Sequence, residues 1–214
     1  MPKAQKAAKE RKNMCGRFYM DDETAREIEK IAEKIDWKRA KTGDVYPSDL
    51  ALVLKGDSGR MVSQVLKWGY EAKGKGGVIF NARTETVRER PMFRYDYESH
   101  RCIIPAKKFY EWKKTQAGQK EKYDFYAHGE VLFLAGIYHK DPDGDRFTIL
   151  TRGAEGCMEE IHNRMPLILA KEDLKKWLFS TEEAVKLMDR HFEKLLRKRS
   201  GGGEYRQLSL FPQQ

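Results

Sequence analysis

Four short segments of the chain combine side chains that can do chemistry with glycine, proline or aromatic neighbours. They are Met14-Cys15-Gly16-Arg17-Phe18, Asn81-Ala82-Arg83-Thr84-Glu85-Thr86, Arg101-Cys102-Ile103-Ile104-Pro105 with Phe109-Tyr110-Glu111-Trp112 soon after it, and Ile161-His162-Asn163-Arg164-Met165-Pro166-Leu167. Together they supply a thiol, an amide, a carboxyl group and an imidazole, which can serve as nucleophile, hydrogen-bonding group and general acid or base. Because an isolated cysteine is more often a small buried side chain, residue types alone leave a structural interpretation open.

The sheet that must position these segments is predicted from short apolar runs separated by turn residues. The runs are LALVL (50–54), MVSQVLKW (61–68), GVIFNA (77–82), RCIIPA (101–106), KYDFYA (122–127), VLFLAGIY (131–138) and RFTILT (146–151). Consecutive short strands with tight turns predict an α+β fold, in which a single domain is built on a curved, largely antiparallel β-sheet or barrel with flanking helices.

Helices are predicted before and after the strands. Apolar residues at helical spacing indicate a helix over 21–35, with Asp21 or Asp22 as its cap. Two more helices are predicted near 171–178 and after Ser180, where Ser180-x-x-Glu183 forms a capping-box pattern. The apolar stripe of the last helix is Val185, Met188, Phe192 and Leu195. The stretch that runs from Arg197 into three glycines predicts a flexible linker at the end of the fold.

Composition limits the classes of function. The chain has 214 residues and a formal net charge of +9. This charge fits an acidic partner such as nucleic acid, but by itself it fits a solvated basic surface almost as well. The chain has no apolar run that could span a bilayer and no signal peptide. Cys15, Cys102 and Cys157 form no CxxC pair, so we expect a reducing cytoplasm, no metal site and no cofactor. We also expect a monomer without membrane contact.

In this order and spacing, the four segments resemble the SRAP family, named for SOS response-associated peptidase. The resemblance covers residues 14 to about 190, and we place the catalytic domain at 14–199. It implies a sensor of abasic sites in single-stranded DNA that shields the lesion during replication or the SOS response, at forks within the nucleoid. It also implies that the initiator Met is removed and that the exposed cysteine forms a stable thiazolidine with the sugar aldehyde, a covalent DNA–protein crosslink.

The resemblance places Cys15 as the nucleophile and brings Asn81, Glu111 and His162 into the active site. An α-amine has a pKa of about 8, so a useful fraction is neutral near pH 7 and can attack an aldehyde. Glu111 suits proton transfer during loss of water if burial raises its pKa. Asn81 can hydrogen-bond the ring or the sugar, and His162 can shuttle a proton. Only an amino-terminal cysteine can form the thiazolidine ring.

The resemblance also implies that Arg17 and Arg83 contact DNA phosphates. From their ring types, Trp68 and Phe109 are candidates for stacking on bases that flank the lesion. Two departures from the family pattern change the charge near the DNA. Asp44 stands where the family usually has Asn, and Lys107-Lys108 adds two cations beside the site.

Residues 1–13 carry five Lys or Arg against one Glu and predict a basic, disordered extension that is absent from the mature protein. While it is attached, the Cys15 nitrogen is an amide and cannot condense with an aldehyde. Two other functions stay open. One is a thiol peptidase in which Cys15, His162 and Glu111 act as nucleophile, base and orienting group on the 1–13 segment. The other is a non-catalytic single-stranded-DNA-binding module. Lyase activity on the DNA strand is also left open.

The carboxy-terminal residues 200–214 are predicted to form a flexible tail outside the SRAP-like region. Within it, Gln207-Leu208-Ser209-Leu210-Phe211 resembles the short peptide that bacterial replication proteins insert into the sliding clamp. Leu210 and Phe211 would anchor such a peptide in a pocket, Leu208 would flank them, and Gln207 would hydrogen-bond. The sliding clamp is therefore a predicted partner, and folding of the tail back on the domain is the alternative.

Overall fold

The structure is a computed structural model that describes residues 15–33, 38–72, 74 and 76–200. The extension at 1–13 and the clamp-like segment at 207–211 lie outside the described residues. Both therefore stay predictions. No helix within the described part of the chain is long and apolar enough to cross a membrane.

The described residues form short strands and five α-helices. The strands are β1 (Phe18–Met20), β2 (Gly43–Val45), β3 (Leu50–Asp57), β4 (Arg60–Trp68), β5 (Tyr70–Glu71), β6 (Val78–Ile79), β7 (Asn81–Arg83), β8 (Arg101–Ala106), β9 (Lys108–Lys114), β10 (Lys120–Tyr126), β11 (Leu132–His139), β12 (Arg146–Gly153), β13 (Arg164–Pro166), β14 (Ile168–Leu169) and β15 (Leu196–Arg199). The helices are α1 (Asp22–Glu29), α2 (Thr84–Val87), α3 (Pro91–Ser99), α4 (Leu174–Phe179) and α5 (Thr181–Leu187), with 3₁₀ turns at Gly156–Met158 and Lys171–Asp173.

Two sheets carry the architecture. The larger has the order β13-β12-β4-β3-β8-β11-β14, and β12 also pairs with β11 and with β7. Because β12 pairs with both β4 and β11, the strands β4, β3, β8, β11 and β12 close into a small barrel. The second sheet is antiparallel, with the order β15-β10-β9-β1-β2. In the larger sheet β12 is parallel to β4 and β7 and its other pairings are antiparallel. The prediction of an α+β domain on a curved, largely antiparallel sheet is confirmed.

The two sheets pack against each other through fully buried aromatic rings. Phe18 of β1 lies with its ring centroid 5.1 Å from that of Trp68 in β4. Phe109 of β9 and Phe125 of β10, both in the second sheet, stack at 5.0 Å between centroids and are fully buried. Burying each such side chain contributes about 1.5–3 kcal/mol to folding, and the Phe18–Trp68 contact joins the second sheet to the barrel. The alternation that buries Phe109 also decides which way its neighbours on β9 face.

The first predicted helix is shorter than its apolar pattern suggested. Asp21 caps it, accepting a 2.8 Å hydrogen bond from Thr24 N–H, but α1 ends at Glu29 rather than at residue 35. The backbone N–H of Glu33 instead donates to Met61 O at 2.9 Å, which adds an isolated bridge beside β4. Ile31 and Ala32, which follow the helix, thus pack on the core without being helical.

The end of the fold also differs from the prediction. Ser180 caps α5 as predicted, accepting from Glu183 N–H at 3.2 Å, but the helix ends at Leu187. The predicted helical stripe of Val185, Met188, Phe192 and Leu195 is therefore wrong, since Phe192 and Leu195 follow the helix. Arg197, Lys198 and Arg199, predicted as the start of a linker, instead belong to β15, which pairs with β10. Main-chain hydrogen bonds to β10 stabilise this strand despite its three cations.

Candidate active site

The amino-terminal segment lies against the middle of β9. Tyr110 N–H donates to Arg17 O at 3.0 Å, which aligns residues 15–17 with that strand. The backbone N–H of Cys15 donates to Glu111 Oε1. Residues two apart on a strand point to the same face of the sheet, so Glu111 lies on the core side of β9 together with the buried Phe109. The structure thus joins the predicted nucleophile directly to the predicted acid–base group.

Burial sets the protonation of both groups. Removal from water raises the pKa of Glu111 to about 7, and hydrogen bonds from the Cys15 and Trp112 backbone N–H groups offset only part of that shift. Burial, together with the nearby charge of Glu111, holds the pKa of the Cys15 thiol well above its ordinary value. Glu111 can therefore donate or accept a proton near neutral pH, whereas the thiol stays protonated.

Asn81 begins β7, which runs beside the barrel strand β12 with Asn81 opposite Ile149. The residue before it, Phe80, accepts a 2.9 Å hydrogen bond from Trp68 Nε1 through its carbonyl. A Cβ built on Gly16 would lie 3.6 Å from the ring of Phe80. Phe80 therefore places the start of β7 next to the amino-terminal segment.

His162 lies in the loop between the 3₁₀ turn and β13. Its Nδ1 accepts a 3.1 Å hydrogen bond from Arg164 N–H, so a neutral ring carries its proton on Nε2. The Arg164 guanidinium pairs with the Glu85 carboxylate and donates to Thr151 O at 2.5 Å. Arg164 belongs to one of the four motifs, but no role was predicted for it from the sequence. Its contacts fix the loop that carries His162.

The two arginines predicted to bind DNA have different surroundings. Arg17 pairs with Asp44, and its guanidinium carbon lies 4.7 Å from the ring centroid of Tyr110 and 5.0 Å from that of Tyr46. Arg83 is exposed and, with Asn81, borders an open cavity of about 520 Å³. Arg17 is thus held in place by an acid at the position where the sequence departs from the family pattern.

The predicted base-stacking roles of Trp68 and Phe109 are wrong. Both rings are fully buried between the sheets. Trp68 is also fixed by its hydrogen bond to Phe80 O and by stacking on Phe147. Neither ring can meet a base unless the core opens. An exposed aromatic beside Arg17 is Tyr46, at 41% exposure, which the sequence analysis did not single out.

Within 15–33, 38–72, 74 and 76–200, no group of three or more His, Cys, Asp or Glu side chains is placed to hold a metal ion. The two cysteines other than Cys15 are packed into the fold. Cys102 is fully buried in β8, and the half-buried Cys157 donates from Sγ to Leu195 O at 3.4 Å.

Comparison with known proteins adds the family. A family profile described as "SOS response associated peptidase (SRAP)" matches residues 14–201. This chain belongs to the SRAP family. The abasic site processing protein YoqW of Bacillus subtilis is 37% identical, and the match covers 77% of this chain and 80% of that protein. YedK of Escherichia coli, with the same descriptive name, is 29% identical over 77% of this chain and 79% of its own.

A more distant relative is the abasic site processing protein HMCES of Pongo abelii, 27% identical over 67% of this SRAP chain and 54% of that protein. Two crystal structures share the fold. The match to a Bacteroides thetaiotaomicron protein spans 86% of this chain and 91% of that protein, with a TM-score of 0.67 and 24% identity. The match to a phage-related protein of Bordetella bronchiseptica spans 88% of this chain and 95% of that protein, with a TM-score of 0.72 and 21% identity.

Glu111 should make the stability of this SRAP domain depend on pH. In the full chain, where the Cys15 nitrogen is a peptide nitrogen, folding raises the Glu111 pKa from its ordinary 4.5 to about 7. The folded state therefore binds this proton more tightly. The resulting stability is fully present below pH 4.5 and is lost as pH rises through 7, by about 3 kcal/mol.

Urea unfolding at pH 4.5 and pH 8 tests this expectation, with Glu111→Gln as the variant that lacks the titrating group. The free energy of unfolding of the wild type should fall relative to the variant across this interval. Parallel pH profiles for the two proteins would contradict the raised pKa.

Proposed function

We propose that this SRAP protein captures abasic sites in single-stranded DNA as a thiazolidine built on Cys15 at the start of the mature chain. The observation that carries the proposal is the contact between the Cys15 backbone nitrogen and buried Glu111, whose pKa is raised to about 7. This contact puts an acid–base group on the nitrogen that must react. The names of the relatives, abasic site processing proteins, support the choice of substrate.

The chemistry has three balanced steps. The neutral α-amine of Cys15 adds to the aldehyde carbon of the open sugar, which forms a C–N bond and a carbinolamine. Glu111 donates a proton to the hydroxyl group, water leaves, and the resulting iminium ion returns the proton on its nitrogen to the Glu111 carboxylate, which leaves a neutral imine. The thiol then adds across the C=N bond, so that sulfur binds carbon and the proton moves to nitrogen. One water is lost overall, and closure of the five-membered ring gains from its intramolecular geometry.

Asn81, His162 and the two arginines have supporting roles in this proposal. Asn81, at the start of β7 beside the amino-terminal segment, hydrogen-bonds the sugar or the ring without adding charge. His162, with Nδ1 occupied by Arg164 N–H, offers Nε2 as a proton donor to the opening sugar oxygen. Arg17 and Arg83 bind phosphates on either side of the abasic sugar.

The amino-terminal extension must be absent for this reaction, since an amide nitrogen does not condense with an aldehyde. The backbone supports this requirement. With Met14 attached, Cys15 has a φ of 27°, in the left-handed region that L residues adopt at a cost of order 1–3 kcal/mol. A chain that begins at Cys15 has no such torsion to satisfy. We infer that translation starts at Met14 or that the extension is trimmed.

The thiol peptidase is a weaker candidate on electrostatic grounds. A cysteine peptidase needs a thiolate, which forms where neighbours lower the thiol pKa. Here burial and Glu111 raise the pKa of Cys15, and the Glu111 carboxyl group contacts the backbone nitrogen. These features favour a reaction in which the amine attacks first and the thiol second. A plain binding module would have no use for an acid buried beside that nitrogen.

The proposal is tested with two forms of the protein, whose first residues are checked by intact mass. One form begins at Cys15 and the other retains residues 1–14. Each is incubated with a single-stranded oligonucleotide that carries one abasic site, and the products are separated on a denaturing gel. We expect a band shift that survives denaturation only with the form that begins at Cys15.

The other outcomes separate the alternatives. Salt-sensitive binding without a denaturation-resistant band in either form would favour the binding module. Release of the 1–14 peptide, blocked by a thiol reagent, would favour the peptidase. Equal yields of resistant adduct from both forms, with the longer form intact by mass, would contradict capture by the α-amine.

A further inference from the structure

An ion pair between Glu85 and Arg164 joins two of the four motifs that carry the proposed site. Glu85 lies in the first turn of α2, which directly follows β7 with Asn81 and Arg83. Arg164 begins β13, which directly follows the loop that carries His162. Both terminal guanidinium nitrogens donate to the carboxylate, one to each oxygen, and one of these bonds measures 2.8 Å. The pair therefore ties β7 to the loop, although its two residues are 79 positions apart in the sequence.

The strand between β7 and β13 takes part in the same cluster. The Arg164 guanidinium also donates to Thr151 O of β12 at 2.5 Å. Thr151 pairs with Arg83 of β7 on one side and with Pro166 of β13 on the other. Its hydroxyl group donates to Ala82 O at 3.2 Å. Because a planar guanidinium that makes a two-point pair and a third bond has one orientation, Arg164 is fixed where these three strands meet.

The main chain of Arg164 orients the imidazole of His162. Its N–H donates to His162 Nδ1 at 3.1 Å. A neutral ring whose Nδ1 accepts a hydrogen bond carries its proton on Nε2. The residue between them, Asn163, is held by a 3.1 Å hydrogen bond from Ala154 N–H to its carbonyl oxygen. Whatever fixes Arg164 therefore also fixes the ring and its tautomer.

The carboxylate of Glu85 limits what the Arg164 cation can do. The hydrogen bond from Arg164 holds the pKa of Glu85 below its ordinary value, so Glu85 is charged near neutral pH and the pair is formed. Both terminal nitrogens of the largely buried Arg164 are then engaged by Glu85 and Thr151. An arginine held in this way supports the loop, whereas an arginine that bound phosphate would first have to leave its acid.

We propose that Glu85 is a positioning residue for the capture reaction, because through Arg164 it holds His162 beside β7 with the proton on Nε2. Glu85 itself does not touch the DNA. The effect on the reaction rests on the proposed function, in which His162 gives a proton to the opening sugar oxygen. A displacement of about 1 Å can cost a positioned group up to about 100-fold in rate. The tautomer of the ring does not depend on that function and can be measured without DNA.

Single-turnover capture of an abasic oligonucleotide, by protein that begins at Cys15, measures the effect on the reaction. Glu85→Gln keeps the shape of the side chain but removes its charge, and it should slow capture about 10- to 100-fold. Its affinity for an undamaged oligonucleotide of equal length should be unchanged. The matched control is Glu71→Gln, which breaks a similar pair between an exposed glutamate and the buried Arg146 and should capture like the wild type. All rates are compared below the melting temperature of each variant.

A double-mutant cycle tests whether Glu85 acts through the imidazole. In the His162→Ala background, Glu85→Gln should cause little further slowing, because the group that Glu85 positions is already gone. Equal slowing by Glu85→Gln with and without His162 would overturn the proposal. Faster capture or tighter DNA binding by Glu85→Gln would also overturn it, since this is the result expected if the carboxylate only keeps Arg164 away from a phosphate.

NMR of protein that contains ¹⁵N-labelled histidine reads the tautomer directly, at a mildly alkaline pH where the ring is neutral. The chain has five histidines, and the signals of His162 are those lost in His162→Ala. The wild type and Glu71→Gln should show a proton on Nε2 alone, whereas Glu85→Gln should show an average of two tautomers. A wild-type spectrum in Glu85→Gln would refute the positioning role. A changed spectrum, together with wild-type capture by His162→Ala, would uphold the positioning of the ring and refute the proton-donor role of His162 in the proposed function.

Discussion

The Cys15→Ala variant, prepared with alanine as its first residue, is expected to give no adduct that survives denaturation. Its α-amine can still condense with the abasic aldehyde, but the resulting imine has no thiol to close a ring and hydrolyses. Cys15→Ser should give at most a less durable oxazolidine, because an oxygen replaces the sulfur. Adduct yield on a denaturing gel and the intact mass of the product, which should equal protein plus DNA minus one water, measure the effect.

The matched control for this variant is Cys157→Ala, which removes a half-buried thiol far along the sequence and should leave the yield unchanged. Addition of borohydride gives a further check, because it reduces an imine to a stable amine. The Cys15→Ala protein should therefore become crosslinked only when borohydride is present. A stable adduct from Cys15→Ala without reductant would refute the thiazolidine.

The barrel could be predicted from the sequence because most residues of its central strands are buried, which makes these strands appear as apolar runs. β8 and β11 consist of nearly uninterrupted apolar residues, and the structure reproduces 101–106 as a strand without change. The second sheet was harder to predict. β9, with the sequence KFYEWKK, buries only three residues at its centre, and β15, with LRKR, has no fully buried residue; the charges of both strands resemble those of loops. Pairing between distant strands decides such cases, and composition does not.

The candidate site divides in the same way. The family resemblance of the four motifs implied that Cys15 and Glu111 belong to one site, and the two are in contact although they are 96 residues apart. The stacking roles of Trp68 and Phe109 failed because aromatic content does not tell which face of a strand is buried. Alternation from Glu111 could have placed Phe109 on the core side. The pairing of Arg17 with Asp44 depends on strand register, since Asp44 lies opposite Tyr19, and register is not local information.

The Glu111→Gln variant should form the adduct about 10²- to 10⁴-fold more slowly than the wild type, the usual loss when a general acid–base group is removed. Glutamine keeps the shape of the side chain, but it has no proton to give when water leaves the carbinolamine. The final yield should approach that of the wild type at long times, because the thiol and amine of Cys15 are intact. Single-turnover rates from timed denaturing gels measure the change, and Glu121→Gln on the adjacent β10 is the matched control.

The pH profile tests the same role independently. In the wild type, the rate should fall on the acid side as the α-amine, with a pKa of about 8, becomes protonated. It should also fall on the alkaline side as Glu111, whose pKa is raised by burial, loses its proton. The product of the two active forms is greatest between the two pKa values, so we expect a bell-shaped profile. Glu111→Gln should lose the alkaline limb and rise to a plateau. If the variant retains that limb, or reacts as fast as the wild type, then Glu111 is not the acid that expels water.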